Sequence, residues 1–188
     1  MNKTTLPVKD RQKINEIFAY LRGKSERNYI IAKLQLNTAL RISDVIGFRV
    51  SDFVHEDGKC RKYLELIEKK TDKKKIIALN NTLQSAMKQY IEEASLNYND
   101  YLFPSRKGTR HITTTQVHRI FNDVSKALQI EKFGTHSLRK TWGYFCYKET
   151  KNIALIMEVY NHSSEKVTLK YIGITQKDID VMYMNIKF

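Results

Sequence analysis

Residues 135–175 read THSLRKTWGYFCYKETKNIALIMEVYNHSSEKVTLKYIGIT, a stretch with no long polar break. Its apolar spacing predicts three short helices, from Ser137 to Glu149, Ile153 to Tyr160 and Glu165 to Ile172. Trp142, Tyr144, Phe145 and Cys146 fall on the first of these and read as core. Thr135 and Thr175 stand where caps are needed. A fourth helix follows from Lys177 to about Met184. Beside it Ile179, Met182, Tyr183 and Ile186 stand at i, i+3, i+4 and i+7. That stripe must be covered, either by the same domain or by a neighbouring protomer.

Upstream, Ile14, Ile17, Phe18 and Leu21 keep helical spacing until Gly23. Further helices are predicted from Arg27 to Leu40, from Ile42 to Phe48, from Thr82 to Ala94 with Asn81 as cap, and from Thr113 to Leu128. Between them the period changes to that of strands. Tyr63 to Ile67 and Lys75 to Leu79 flank a turn at Lys70-Thr71-Asp72-Lys73, and Phe53-Val54, turning through Asp57-Gly58, supplies an earlier strand. The expected class is α+β, mainly α: a helical bundle with a small antiparallel three-stranded sheet.

The 188 residues suit one domain, and 41% hydrophobic residues suffice for a core. Lys and Arg number 33 against 20 acids, a net charge of +13 that favours a polyanionic partner through counterion release. Cys60 and Cys146 form neither a disulfide framework nor a zinc spacing, and His55, His111 and His118 show no metal spacing either. With no apolar signal region and no membrane-length apolar run, the expectation is a soluble, cytoplasmic protein without a membrane partner.

Four segments carry residues suited to phosphate chemistry. His136 and Arg139, three apart at a helix start, can converge on one group, with the guanidinium forking onto a phosphate. The same pair also suits a purely structural helix start. Arg41 opens a helix and Asp44 lies one turn on, where it could orient the guanidinium; a surface Arg with a capping acid reads equally well. His162 precedes Tyr171 by nine residues, and a phenol needs a proton acceptor and nearby cations to attack phosphorus at neutral pH. The chain holds eleven tyrosines, so packing is the competing role. Lys69, Lys70, Lys73, Lys74 and Lys75 crowd a hairpin tip, which can enter a groove, donate a proton, or simply be solvated. Arg106, Lys107 and Arg110 follow the Tyr101-Leu102-Phe103-Pro104-Ser105 loop and suit backbone phosphates or solvent.

In this order, Ala39-Leu40-Arg41-Ile42-Ser43-Asp44, Lys70-Thr71-Asp72-Lys73, the Tyr101–Ser105 loop, Thr135-His136-Ser137-Leu138-Arg139, Asn161-His162-Ser163-Ser164 and Tyr171-Ile172 resemble the tyrosine recombinase (phage integrase) family. The resemblance runs from about Leu6 to Ile174 and implies a catalytic domain over residues 1–188, with no amino-terminal clamp domain. It implies that Tyr171 is a nucleophile taking the 3′ phosphate of a cut strand. Arg41 and Arg139 would then hold the non-bridging oxygens, Lys70 protonate the leaving 5′ oxygen, His136 exchange the tyrosine proton and His162 hydrogen-bond the phosphate. The implied activity is site-specific strand cleavage and rejoining on double-stranded DNA, by four protomers, without metal or other cofactor. A topoisomerase-like nick-and-reseal enzyme uses the same residues, and a DNA-binding accessory protein without turnover is the third reading. The family usually places Gly before the second His. Asn161 stands there instead, as the residue next most tolerant of a left-handed backbone.

Overall fold

A computed structural model describes residues 4–106 and 108–187. Helix α1 (Arg11–Lys24) starts at Asp10, whose carboxylate accepts from the Gln12 amide at 2.8 Å, and it buries Ile14, Ile17 and Leu21. Gly23 lies inside its last turn instead of ending it. A helical glycine weakens a helix without terminating it, and the stop comes at Ser25, whose extended backbone (φ −174°) also opens α2. Helix α2 (Glu26–Thr38) is the central element, burying Tyr29, Ile30, Ile31, Ala32 and Leu34. It ends at Ala39, left-handed at φ 56°, which turns the chain so that Arg41 takes the N-cap position of α3 (Ile42–Val45).

Helix α3 stops short of the expected Phe48. The Phe48 carbonyl is taken by the Leu102 amide at 2.8 Å and Arg49 bridges Tyr101, so the backbone there is committed to extended pairing. The sheet has two strands, not three: β1 (Tyr63–Ile67) runs antiparallel to β2 (Lys74–Ala78), with Leu64 opposite Ile77. The expected third strand fails because Val50–Asp52 winds into a 3₁₀ turn, leaving one isolated bridge, Val54 to Cys60.

Helix α4 (Asn81–Glu93) is capped by Asn80, one residue before the predicted cap, through a 2.9 Å bond from the Leu83 amide. Helix α5 (Thr114–Ala127) carries the capping box Thr113–Gln116. The C-terminal third comprises α6 (Ser137–Thr150), α7 (Ile153–Tyr160), α8 (Glu165–Tyr171) and α9 (Gln176–Asn185). Thr175 caps α9 as expected, in a box with Asp178, whereas Thr135 does not cap α6; its hydroxyl pairs with His118 Nε2 at 3.3 Å.

The large core gathers Ile17, Leu34, Phe103, Val117 and Phe121 from α1, α2, α5 and the loop before α5. A smaller core of Ala39, Tyr144, Ile156, Tyr160 and Ile172 joins the end of α2 to α6, α7 and the segment after α8. Each fully buried side chain of this kind contributes about 1.5–3 kcal/mol. Trp142, Phe145 and Cys146 are only half-buried. Helix α9 buries no residue: Ile179, Met182, Tyr183 and Ile186 are 42%, 63%, 78% and 60% exposed. The predicted stripe therefore exists but is not covered by its own domain. Among the described residues no helix is long and apolar enough to cross a membrane.

Candidate active site

The smaller core is the floor of the site. Tyr160, 1% exposed, closes α7 against the α6 backbone, where Gly143 leaves no side chain in its way. Its hydroxyl donates to the Arg139 carbonyl at 2.6 Å, and burial pushes its ionisation well above the usual phenol range, so it remains a neutral donor. The same ring lies under the Arg139 guanidinium at 4.6 Å and meets the rings of His162 at 5.4 Å and Tyr171 at 5.1 Å. Three of the predicted residues thus share one aromatic support.

Arg139 is 2% exposed in the first turn of α6, and its guanidinium donates to the carbonyl of Ala39. The left-handed turn at Ala39 therefore does two things: it holds Arg139 and it delivers Arg41. Gln35, fully buried, ties the same regions, donating from Nε2 to the Thr135 carbonyl at 2.7 Å and the Leu40 carbonyl at 3.3 Å. Arg41 reaches Glu68, not Asp44, with Nη1 3.1 Å from Oε2. Asp44 instead accepts from the Lys69 amide at 3.2 Å; burial, with the nearby Glu68 charge, raises its carboxyl above the ordinary range.

His136 occupies the N-cap position of α6 without a capping bond. Partial desolvation, then Arg139 and Lys140, lower its imidazole below the ordinary range. His162 is half-buried and is lowered likewise, by desolvation first and then by Arg139 and Arg41. Its Nδ1 lies 3.0 Å from the Thr168 hydroxyl, which donates to the Ser164 carbonyl at 3.1 Å. With Nδ1 engaged by Thr168, Nε2 is the nitrogen left for a further partner. Tyr171 ends α8, half-buried, its ring edge-on to His162 at 5.1 Å, with Lys140 Nζ 5.0 Å from its centroid.

The hairpin is arranged less as expected. Lys70 is exposed, and among the described residues no hydrogen bond or ion pair fixes its ammonium. Lys69 is a tether, donating from Nζ to the Ser43 carbonyl at 3.1 Å. Lys75 is the lysine turned inward: Nζ donates to the Val159 carbonyl at 2.6 Å and stands 3.4 Å from Glu68 Oε1. Desolvation lowers its ammonium, with Arg139 and Arg41 adding to the effect against the opposing pull of Glu68. Lys73, Arg106 and Arg110 are exposed, and Lys107 lies outside the described residues.

Asn161 is left-handed (φ 55°, ψ 45°), as the sequence required of a glycine substitute, but its side chain also donates to Glu68 Oε2 at 3.1 Å. Sequence reasoning missed Glu68, Tyr160, Gln35 and Lys140, and named Lys75 only as one of five hairpin lysines. For Glu68 a signal existed: it continues the inward alternation of Leu64 and Leu66. Chemically, Arg41 and Lys75 flank one ionised carboxylate, and the Arg139 charge also acts on Lys75, an excess of positive charge suited to a phosphate diester.

The model of the phage integrase family matches residues 7–177. The chain is 36% identical over 177 residues to the probable integrase/recombinase YoeC of Bacillus subtilis strain 168, covering 94% of both chains. It is 31% identical over 144 residues to the tyrosine recombinase XerH of Helicobacter pylori, covering 73% of this chain but 38% of that one. Among solved structures, the XerA recombinase superposes with a TM-score of 0.75 at 22% identity, covering 97% of this chain and 67% of that one. XerH bound to a palindromic difH substrate gives 0.71 at 20%, covering 98% and 54%. With a matching family model over nearly its whole length, a relative of its own size and the fold of a recombinase catalytic domain, the chain belongs to the phage integrase family of tyrosine recombinases.

Proposed function

We propose that the chain is the catalytic domain of a site-specific DNA recombinase that cleaves and rejoins strands through a 3′-phosphotyrosine. In this reading the Tyr171 oxygen attacks the scissile phosphorus and its proton passes to His136. The bond to the 5′ oxygen breaks, and Lys70 protonates that leaving oxygen. Arg41 and Arg139 stabilise the charge that grows on the non-bridging oxygens, and His162 donates a hydrogen bond to the phosphate from Nε2. Rejoining reverses these transfers, so the phosphodiester energy is kept in the tyrosine linkage. Because two guanidiniums supply the positive charge, the reading needs no metal.

The observation that carries it is the sharing of Tyr160 by Arg139, His162 and Tyr171, because residues 21 and 11 positions away from Tyr160 serve one point in space. Lys70 is the residue that must move, and a turn with no fixed ammonium allows it. In this reading the partner is double-stranded DNA, and Lys69, Lys73, Arg106, Lys107 and Arg110 are assigned to its backbone phosphates. The uncovered α9 stripe supports self-association: a second copy on DNA covers Met182 and Tyr183, towards a tetramer. Incubation with nicked duplexes, looking for a protein–DNA adduct that depends on Tyr171, tests the reading.

A further inference from the structure

We propose that Glu68 is a positioning residue that locks Arg41 and the lysine turn in register with the His162 loop, with Asn161 as a working partner in that lock. The inference rests on the site reading given above and extends it to residues that touch no DNA atom.

Glu68 sits just past β1 on its inward side, and its side chain is 1% exposed. A buried carboxylate is costly unless its oxygens are satisfied by charged or polar donors. Its partners come from three of the segments that the chemistry uses: the start of α3, the lysine hairpin and the end of α7. Arg41 Nη1, at the start of α3, pairs with it ionically at 3.1 Å, and the Thr71 hydroxyl donates from the turn at 2.8 Å. Lys75 Nζ comes from β2 at 3.4 Å, and Asn161 Nδ2 from the end of α7 at 3.1 Å. The carboxyl is held below the ordinary range: burial works against this, and Thr71, Lys75 and Arg41 together outweigh it.

Each donor adjoins a residue of the proposed chemistry. Thr71 follows Lys70, so fixing Thr71 sets the base from which the exposed Lys70 side chain swings. Asn161 precedes His162, and Lys75 bonds the Val159 carbonyl on the same helix end. Arg41, anchored at one nitrogen, keeps further donors for a phosphate. A glycine at position 161 would satisfy the left-handed backbone and leave Glu68 one donor short. The asparagine is therefore more than a conformational substitute.

The test uses the full chain, nicked duplex DNA, the rate of adduct formation at saturating DNA, and DNA affinity by anisotropy. Glu68→Gln should slow adduct formation about 10- to 100-fold, the worth of one charge-assisted hydrogen bond, with affinity within about threefold. Asn161→Gly should lose about 3- to 10-fold in the same sense. Because part of the Glu68 effect passes through Arg41, Glu68→Gln should cost several-fold less in an Arg41→Ala background than in the parent, which a merely structural role would not produce. Wild-type rates in Glu68→Gln, or losses that multiply independently of Arg41, overturn the proposal. If circular dichroism shows Glu68→Gln to be unfolded, a wild-type rate in Asn161→Gly overturns it instead. Should the unmodified chain give no Tyr171-dependent adduct, the site reading itself fails and the proposal falls with it.

Discussion

The ring of Tyr160 meets the ring of Tyr171 edge to face, with centroids 5.1 Å apart, while its hydroxyl donates to the backbone of Arg139. A buried residue thereby sets the spacing between the Tyr171 ring and Arg139. Gly143 permits this, because a Cβ there would press on the Tyr160 hydroxyl and stand 2.7 Å from Ile172 Cγ2.

Tyr160→Phe should therefore lower stability by about 1 kcal/mol, the usual worth of one hydrogen bond. Gly143→Ala should cost about 1–3 kcal/mol by overpacking. Since the hydroxyl is the nearest obstacle to the new methyl, the double variant should lose less than the two single losses added. Urea midpoints of the four proteins decide this, and strict additivity would show that the two sites do not press on one another.

The rate of adduct formation at subsaturating DNA should fall on the acid side only. Partial desolvation with Arg139 and Lys140 lowers His136, so its neutral, proton-accepting form persists below the ordinary imidazole value of about 6.5. The rate should hold from neutrality down through pH ~6.5 and drop as pH passes the lowered value. His136→Gln should lose this acid limb together with most of the rate. An unchanged limb in that variant would assign the titration elsewhere.

Two buried carboxyls should move stability in opposite directions. Glu68 is held low, so its contribution is present above the ordinary carboxylate value of about 4.3 and is lost as pH falls through its native value. Asp44 is raised by burial, so its charged form is a penalty at neutral pH that protonation relieves. Glu68→Gln should be less stable than the parent at pH 7 and Asp44→Asn more stable, both differences shrinking on acidification. Thermal midpoints at pH 7 and pH 4 measure both, and a gap that widens in acid would reverse the assignment.

Lys70→Ala should slow cleavage of ordinary DNA strongly and recover on a substrate whose leaving 5′ oxygen is sulfur, which departs without a proton. Lys75 is bonded to Val159 and paired with Glu68, so Lys75→Ala should show no such recovery. Recovery in Lys75→Ala alone would move the proton donor to the inward-facing lysine.

Truncation after Thr175 removes the exposed residues Met182, Tyr183 and Ile186. It should lower strand exchange more than single-strand cleavage, since exchange alone requires assembled protomers. Sedimentation on a DNA site measures the assembly, and equal assembly with and without α9 would rule out its role between copies.

Most of the fold is legible in the sequence wherever one periodic face meets one core. Helix α7 falls on its predicted limits, and β1 does too. The failures are local competitions. The Phe53-Val54 strand shrinks to one bridge, Val54 to Cys60, behind the 3₁₀ turn at Val50–Asp52; Gly23 yields to the packing of α1, and Asn80 takes the cap from Asn81. In the site, the left-handed backbone at Asn161 follows from residue type, whereas its bond to Glu68 depends on how the hairpin docks against α7. No one-dimensional pattern encodes that docking. The same holds for Lys75, which is one of five lysines in seven positions until the fold turns it inward.

In the proposed reaction Tyr171 forms a covalent bond with DNA under the charge of Arg41 and Arg139. The most direct measurement is denaturing electrophoresis of the chain after incubation with a nicked, labelled duplex in excess EDTA. A labelled band at the mass of protein plus DNA is expected, lost in Tyr171→Phe while DNA binding remains. A band that survives Tyr171→Phe, or one that EDTA abolishes, would contradict the account.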